Sequence, residues 1–197
     1  MVSLQRDQGD GFTHFCGGSV IEDNIVLTAA HCLKDKQASE VKAVFGTEDL
    51  SLSGHHRTER NVSKIIIHPL YNAGESYFNV ALLVLDKKLV FSDGISPICL
   101  PSHANSDASL RSDQFAMLAG WRSTTKPGGP GSHTLQYANM MIFATNRCND
   151  TRTITKNQVI ASNSKLVPKL FHSPVFCAGL HIKMFIIDKE MLKSNRF

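Results

Sequence analysis

The chain has 197 residues, 42% of them hydrophobic and 19% charged, with a formal net charge of +4. This is globular material for one domain or two small barrels, and it falls below the roughly 200–250 residues of large all-β domains. The basic residues are scattered, which argues against nucleic acid as a partner, and no apolar run approaches the roughly 18 residues of a membrane span.

Along the chain, short apolar runs alternate with turns. Cys16-Gly17-Gly18-Ser19 precedes the apolar run Ile25-Val26-Leu27, which leads into Thr28-Ala29-Ala30-His31-Cys32. Runs over 41–45, 64–67, 80–85 and 115–119 have the length and β-branched content of strands. Polar turns separate them, including 54–60 with His55 and His56, and the Pro/Gly surface loop over 127–131. No repeat or low-complexity block interrupts the pattern, which is that of an all-β protein. Near the end, Leu180, Ile182, Met184 and Ile186 alternate with His181, Lys183 and Phe185, the period of a half-buried strand. That tail is either a strand pairing near Gly179 or a non-native extension, and 188–197 reads as a frayed polar end. His14 close to Cys16 lacks a second set of ligands at zinc spacing, and His55 and His56 lack a carboxylate cluster, so no metal or other cofactor is expected. Asn61-Val62-Ser63 and Asn149-Asp150-Thr151 are glycosylation acceptor triplets.

The segment around His31, with its upstream Cys-Gly-Gly-Ser, resembles the general-base segment of the trypsin/chymotrypsin-like serine proteases. Chemistry explains the pairing: an imidazole that takes a proton from a serine must be held in place, and a disulfide beside it anchors the backbone. The likeness continues in order through Ile66-Ile67-His68-Pro69-Leu70-Tyr71, Val80-Ala81-Leu82-Leu83-Val84-Leu85, Ile95-Ser96-Pro97-Ile98-Cys99-Leu100-Pro101, Ala119-Gly120-Trp121 and Val175-Phe176-Cys177-Ala178-Gly179. The resemblance covers residues 1–179 and implies a double six-stranded β-barrel, the first barrel over about 1–100. Part of the second lies over about 115–179, with a helix over 145–155, so the second barrel is incomplete. Residues 180–197 form a divergent tail.

Two departures set the expected chemistry. The family's triad aspartate directly precedes the segment beginning Val80-Ala81, and Asn79 stands there. In that family the acid-to-amide change lowers kcat about 10⁴-fold, a value measured in those enzymes and not obtained from this chain. No Gly-Asp-Ser-Gly occurs anywhere in the sequence, so nucleophile and oxyanion-hole amides are both lacking. Ser19, Ser123, Ser132, Ser162, Ser164 and Ser173 sit in no Gly-x-Ser-x-Gly elbow, and Asp86 and Asp93 follow their strand rather than start it. The start, Met1-Val2-Ser3-Leu4-Gln5, resembles the family's first long strand, so no activation peptide is expected. His31 is thus the one triad member retained, and the chain is expected to be catalytically inactive as written.

The resemblance also implies disulfides Cys16–Cys32 and Cys148–Cys177. Of five cysteines, Cys99 is then left over. It is either a free thiol or pairs outside the chain, by family analogy with an upstream pro-segment. Cysteine usage and the two acceptor triplets point to an extracellular location, although no signal peptide is visible at the N-terminus. Three functional readings remain open: a partial product of a serine endopeptidase, a secreted non-catalytic homologue binding protein partners, or a fragment without function.

Overall fold

The computed structural model describes residues 1–52, 54, 56–73, 78–100, 115–121, 131–143 and 160–162. Their elements are β1 (Val2–Asp7), β2 (Phe12–Glu22), β3 (Ile25–Thr28), a single helical turn α1 (Ala30–Leu33), a 3-10 turn (Ala38–Glu40), β4 (Val41–Phe45), β5 (Thr58–Ile67), β6 (Ala81–Leu85), β7 (Phe115–Gly120), β8 (Gln136–Phe143) and β9 (Ile160–Ser162). Among the described residues strand dominates, beside one α-helical turn and one 3-10 turn, in agreement with the all-β reading.

The first six strands close into a barrel in the order β1-β2-β3-β6-β5-β4, every neighbour antiparallel. Period-2 alternation drives the closure. On β6, Ala81, Leu83 and Leu85 are buried while Leu82 and Val84 are half-exposed. Phe45, Leu4, Leu33, Leu83, Val2 and Val26 are among the large side chains fully enclosed, each contributing about 1.5–3 kcal/mol by leaving water. Closure needs curvature, and register shifts at Leu4/Gln5, Val20/Glu22 and Val62/Lys64 supply it.

This barrel belongs to a compact unit of Met1–Leu100 and Gly120–Gln136. The later stretch is tied to the loop after β4. Trp121, 2% exposed, donates its Nε1–H to Glu48 O at 2.9 Å, and Asp49 forms a β-bridge with Thr134. The second unit, Pro101–Ala119 and Tyr137–Phe197, contains a sheet of order β7-β8-β9, with Met141, Ile142 and Phe143 paired to Ser162, Ala161 and Ile160. The helix expected over 145–155, the tail over 180–197, Cys148, Cys177 and Asn149 lie outside the described residues. Among the described residues no helix is long and apolar enough to cross a membrane.

Candidate functional site

Strand register brings together residues far apart in sequence. Thr28, the last residue of β3, pairs with Ala81, the first of β6. Continuing past the ends of both strands, α1 therefore meets the residues just before β6. His31 lies on α1 and Asn79 two residues ahead of β6.

The local fold fixes the histidine's backbone. Cys32, buried beside Leu33 on the same helical turn, is bonded to Cys16 of β2, with Cα atoms 6.2 Å apart. Thr28 adds a second tie by donating its hydroxyl to Gly17 O at 2.9 Å. Gly18 permits the close approach of β2 to β3, since a Cβ there would stand 2.8 Å from Val26 Cγ1 and 3.2 Å from Leu27 O. The expected Cys16–Cys32 bridge is thus present, and the Cys-Gly-Gly sequence has a steric reason.

Asn79 is held from the other side. Val80 N–H donates to Phe78 O at 2.8 Å, closing a three-residue turn around Asn79. Phe78 has φ +52°, a left-handed conformation that costs an L-residue roughly 1–2 kcal/mol. Its ring lies parallel to the His68 imidazole, centroids 4.8 Å apart and planes 5° apart, and this stack offsets part of the strain. His68 in turn donates its N–H to Val80 O and accepts at Nδ1 from Leu70 N–H at 3.2 Å. Next along, burial and then the Asp35 charge push the Tyr71 phenol above its usual range.

The contacts between His31 and Asn79 bear on where the imidazole carries its proton. The first N–H groups of a helix have no partner within it, and the N-cap Ala29 offers no side-chain acceptor. Asn79 Oδ1 fills that role, accepting from His31 N–H at 2.9 Å. A backbone N–H can only donate, so the amide oxygen stands on the backbone side, where it also lies 3.1 Å from His31 Nδ1. Asn79 Nδ2 then lies 2.8 Å from His31 Nδ1. The nearer amide nitrogen only donates, so this contact calls for an Nδ1 that accepts and a ring proton on Nε2, whereas an Nδ1–H would be given to Oδ1 at the longer distance. The second contact agrees, because Nε2 is 3.6 Å from Cys32 Sγ, and a disulfide sulfur carries no hydrogen to give. An aspartate at position 79 would instead accept from Nδ1–H and leave Nε2 bare to take a proton.

Cys16, His31 and Cys32 also place three metal-type ligand atoms within 4.8 Å of one another. Both sulfurs are spent in the disulfide, so neither is a thiolate and the cluster does not fit a metal ion. Of the other sequence candidates, Cys99 is exposed and unbridged, and Asn61 is exposed on β5, away from the β3–β6 junction in register. The Phe78–His68 stack has no signature in the string of residues.

The trypsin family model matches residues 1–166. This chain belongs to the trypsin family. Trypsin-family relatives include transmembrane protease serine 9 of Rattus norvegicus, 33% identical over 147 residues, and serine proteinase stubble of Drosophila melanogaster, 31% identical over 183 residues. Hypodermin-A of Hypoderma lineatum is 33% identical over 147 residues. These alignments take in 75%, 90% and 75% of this chain and 14%, 21% and 53% of the relatives' own lengths.

Proposed function

We propose that this chain is a non-hydrolysing member of the trypsin family, in which His31 offers a hydrogen-bond donor where the enzymes present a base. The observation that supports this most directly is the Asn79 amide: Oδ1 is engaged by His31 N–H, and the donor-only Nδ2 lies nearer to Nδ1, at 2.8 Å, than Oδ1 does, at 3.1 Å, an arrangement suited to a ring that keeps its proton on Nε2. An Nε2–H imidazole cannot accept a serine proton, the step on which the family's acyl transfer depends. The absence of Gly-Asp-Ser-Gly from the sequence supports the same reading. Such a domain acts by binding protein partners outside the cell, for which the Cys16–Cys32 disulfide is the supporting observation. The exposed Cys99 thiol is suited to a covalent link with a segment beyond this sequence.

The test is imidazole nitrogen NMR on the full chain together with a serine-reactive phosphonate probe. The expected spectrum has a protonated His31 Nε2 and an unprotonated Nδ1, and the probe labels no serine. Asn79→Asp should invert the two nitrogens. A wild-type ring protonated at Nδ1, or labelling that disappears in His31→Ala, defeats the proposal.

A further inference from the structure

We propose that Asn61 is an N-glycan acceptor, modified before β5 and β6 pair. This is independent of the reading of His31. The triplet Asn61-Val62-Ser63 lies inside β5, where Val62 is buried and both Asn61 and Ser63 are exposed. The acceptor amide and the hydroxyl required two residues later therefore share the solvent side of the barrel, so a sugar attached there displaces no core residue. The Cys16–Cys32 disulfide adds an independent requirement, since it forms in the same oxidising compartment in which such transfer takes place.

In the folded barrel the triplet is closed to a transferase. Ser63 is the extra residue of the Val62/Lys64 register shift, and its hydroxyl donates to Val84 O at 3.0 Å and Leu85 O at 3.3 Å. Asn61 Nδ2 donates to Asp86 Oδ2 at 3.4 Å, and Asn61 O accepts from Asp86 N–H. All these partners sit on or just after β6, more than 20 residues further along the chain (separations of 21, 22 and 25). During entry of the growing chain the triplet thus emerges extended and unpaired on that side, and it is sequestered once β6 arrives. Ordering is imposed by the topology: transfer first, pairing second.

The step balances simply. Asn61 Nδ2 forms a bond to the anomeric carbon of an oligosaccharide carried on a lipid pyrophosphate. The bond from that carbon to the pyrophosphate oxygen breaks, the lipid pyrophosphate leaves with the electron pair, and one amide proton passes to a base of the transferase. A single N–H remains on Asn61, which is the number the contact with Asp86 uses.

The experiment is translation of the full chain behind a cleavable export signal in the presence of microsomes. Entry is scored by protease protection and glycan by glycosidase sensitivity. With the other triplet removed by Asn149→Gln, one glycosidase-sensitive step is expected. Adding Asn61→Gln or Ser63→Ala should abolish it, whereas Ser63→Thr should keep it. A protected Asn149→Gln chain of unmodified mass overturns the site, as does a step that survives Asn61→Gln. Since transfer precedes folding, variants that do not fold are scored equally well. Chain folded with its disulfide intact and then offered to the transferase should stay unmodified; modification at Asn61 under those conditions overturns the ordering.

Discussion

Two imidazoles in the barrel unit meet a neutral partner at Nδ1 at the same distance, and the chemistry differs entirely. His14 of β2 has Nδ1 2.8 Å from the hydroxyl of buried Ser3, which also receives Gln5 Nε2 at 3.5 Å. A hydroxyl rotates and can give or take a proton, so Ser3 follows whichever tautomer His14 adopts. His31 has Nδ1 2.8 Å from Asn79 Nδ2, which only donates, and 3.1 Å from Oδ1, which only accepts, in an amide whose orientation a backbone N–H enforces. Tautomer control therefore comes from the partner's rigidity and sign, and distance alone says nothing about it. The edge-on Trp121 ring, 5.5 Å from His14, confines that imidazole's position without choosing its proton.

Removing what holds each ring separates the two cases. The largest effect is expected from Cys16→Ser with Cys32→Ser, which frees the α1 end of the site. A bridge spanning 16 residues contributes about 3 kcal/mol in the loop-entropy account, so the urea midpoint should fall accordingly. His31 should lose its single nitrogen pattern at the same time, while His14, held through the β1–β2 ladder, keeps its own. A doubly substituted chain with His31 still uniquely protonated at Nε2 would show that Asn79 needs no help from the disulfide. Ser3→Ala comes next. It takes a partner from both Gln5 Nε2 and His14 Nδ1 in a place closed to water, a loss of about 1–2 kcal/mol, and it should leave the His31 nitrogens unmoved. Equal perturbation of both rings would mean that they are coupled through β2 and that the contrast between them is not local.

The parts of this fold that sequence reveals are those governed by alternation. Ala81, Leu83 and Leu85 point inward as the period of the 80–85 run requires, and Val41, Ala43 and Phe45 do likewise. By contrast, β5 reaches back to Thr58, well before the apolar run at 64–67. Thr58-Glu59-Arg60-Asn61-Val62-Ser63 has one inward side chain, and its pairing to β4 is helped by charges that periodicity does not register. The site divides the same way. His31, Cys16, Cys32 and Asn79 are readable as positions, because each is a side chain in a recognisable string. The direction of the Asn79 amide is not, because it depends on an N–H left over at a helix start 48 residues earlier. Nor is Phe78 at φ +52°: a bulky ring is the last residue that local rules would put there, and the imidazole that helps to hold it lies on another segment.

The smallest effect isolates a carboxylate from the two imidazoles. Burial pushes the Glu59 carboxyl up, but Lys42 and Arg57, with Nζ and Nη2 each 3.0 Å from its oxygens, outweigh this and hold it below the usual range. A carboxyl depressed in the fold binds protons more readily once unfolded. Its stabilisation is therefore complete above the unfolded value and is lost as pH falls through the folded one. With the Glu59 side chain 40% exposed and screened by solvent, the contribution is below about 1 kcal/mol. Lys42 also lies 4.0 Å above the Phe12 ring, which ties the pair across β2, β4 and β5. Lys42→Met should flatten the acid side of a stability–pH curve as pH falls below the ordinary glutamate range, most visibly at low salt, with Arg57 retaining part of the effect. Both histidine nitrogen patterns should be unchanged near neutral pH. An acid limb as steep in Lys42→Met as in the wild type would assign the loss to other carboxylates, and a shifted His31 pattern would mean that this surface pair reaches the site through the barrel.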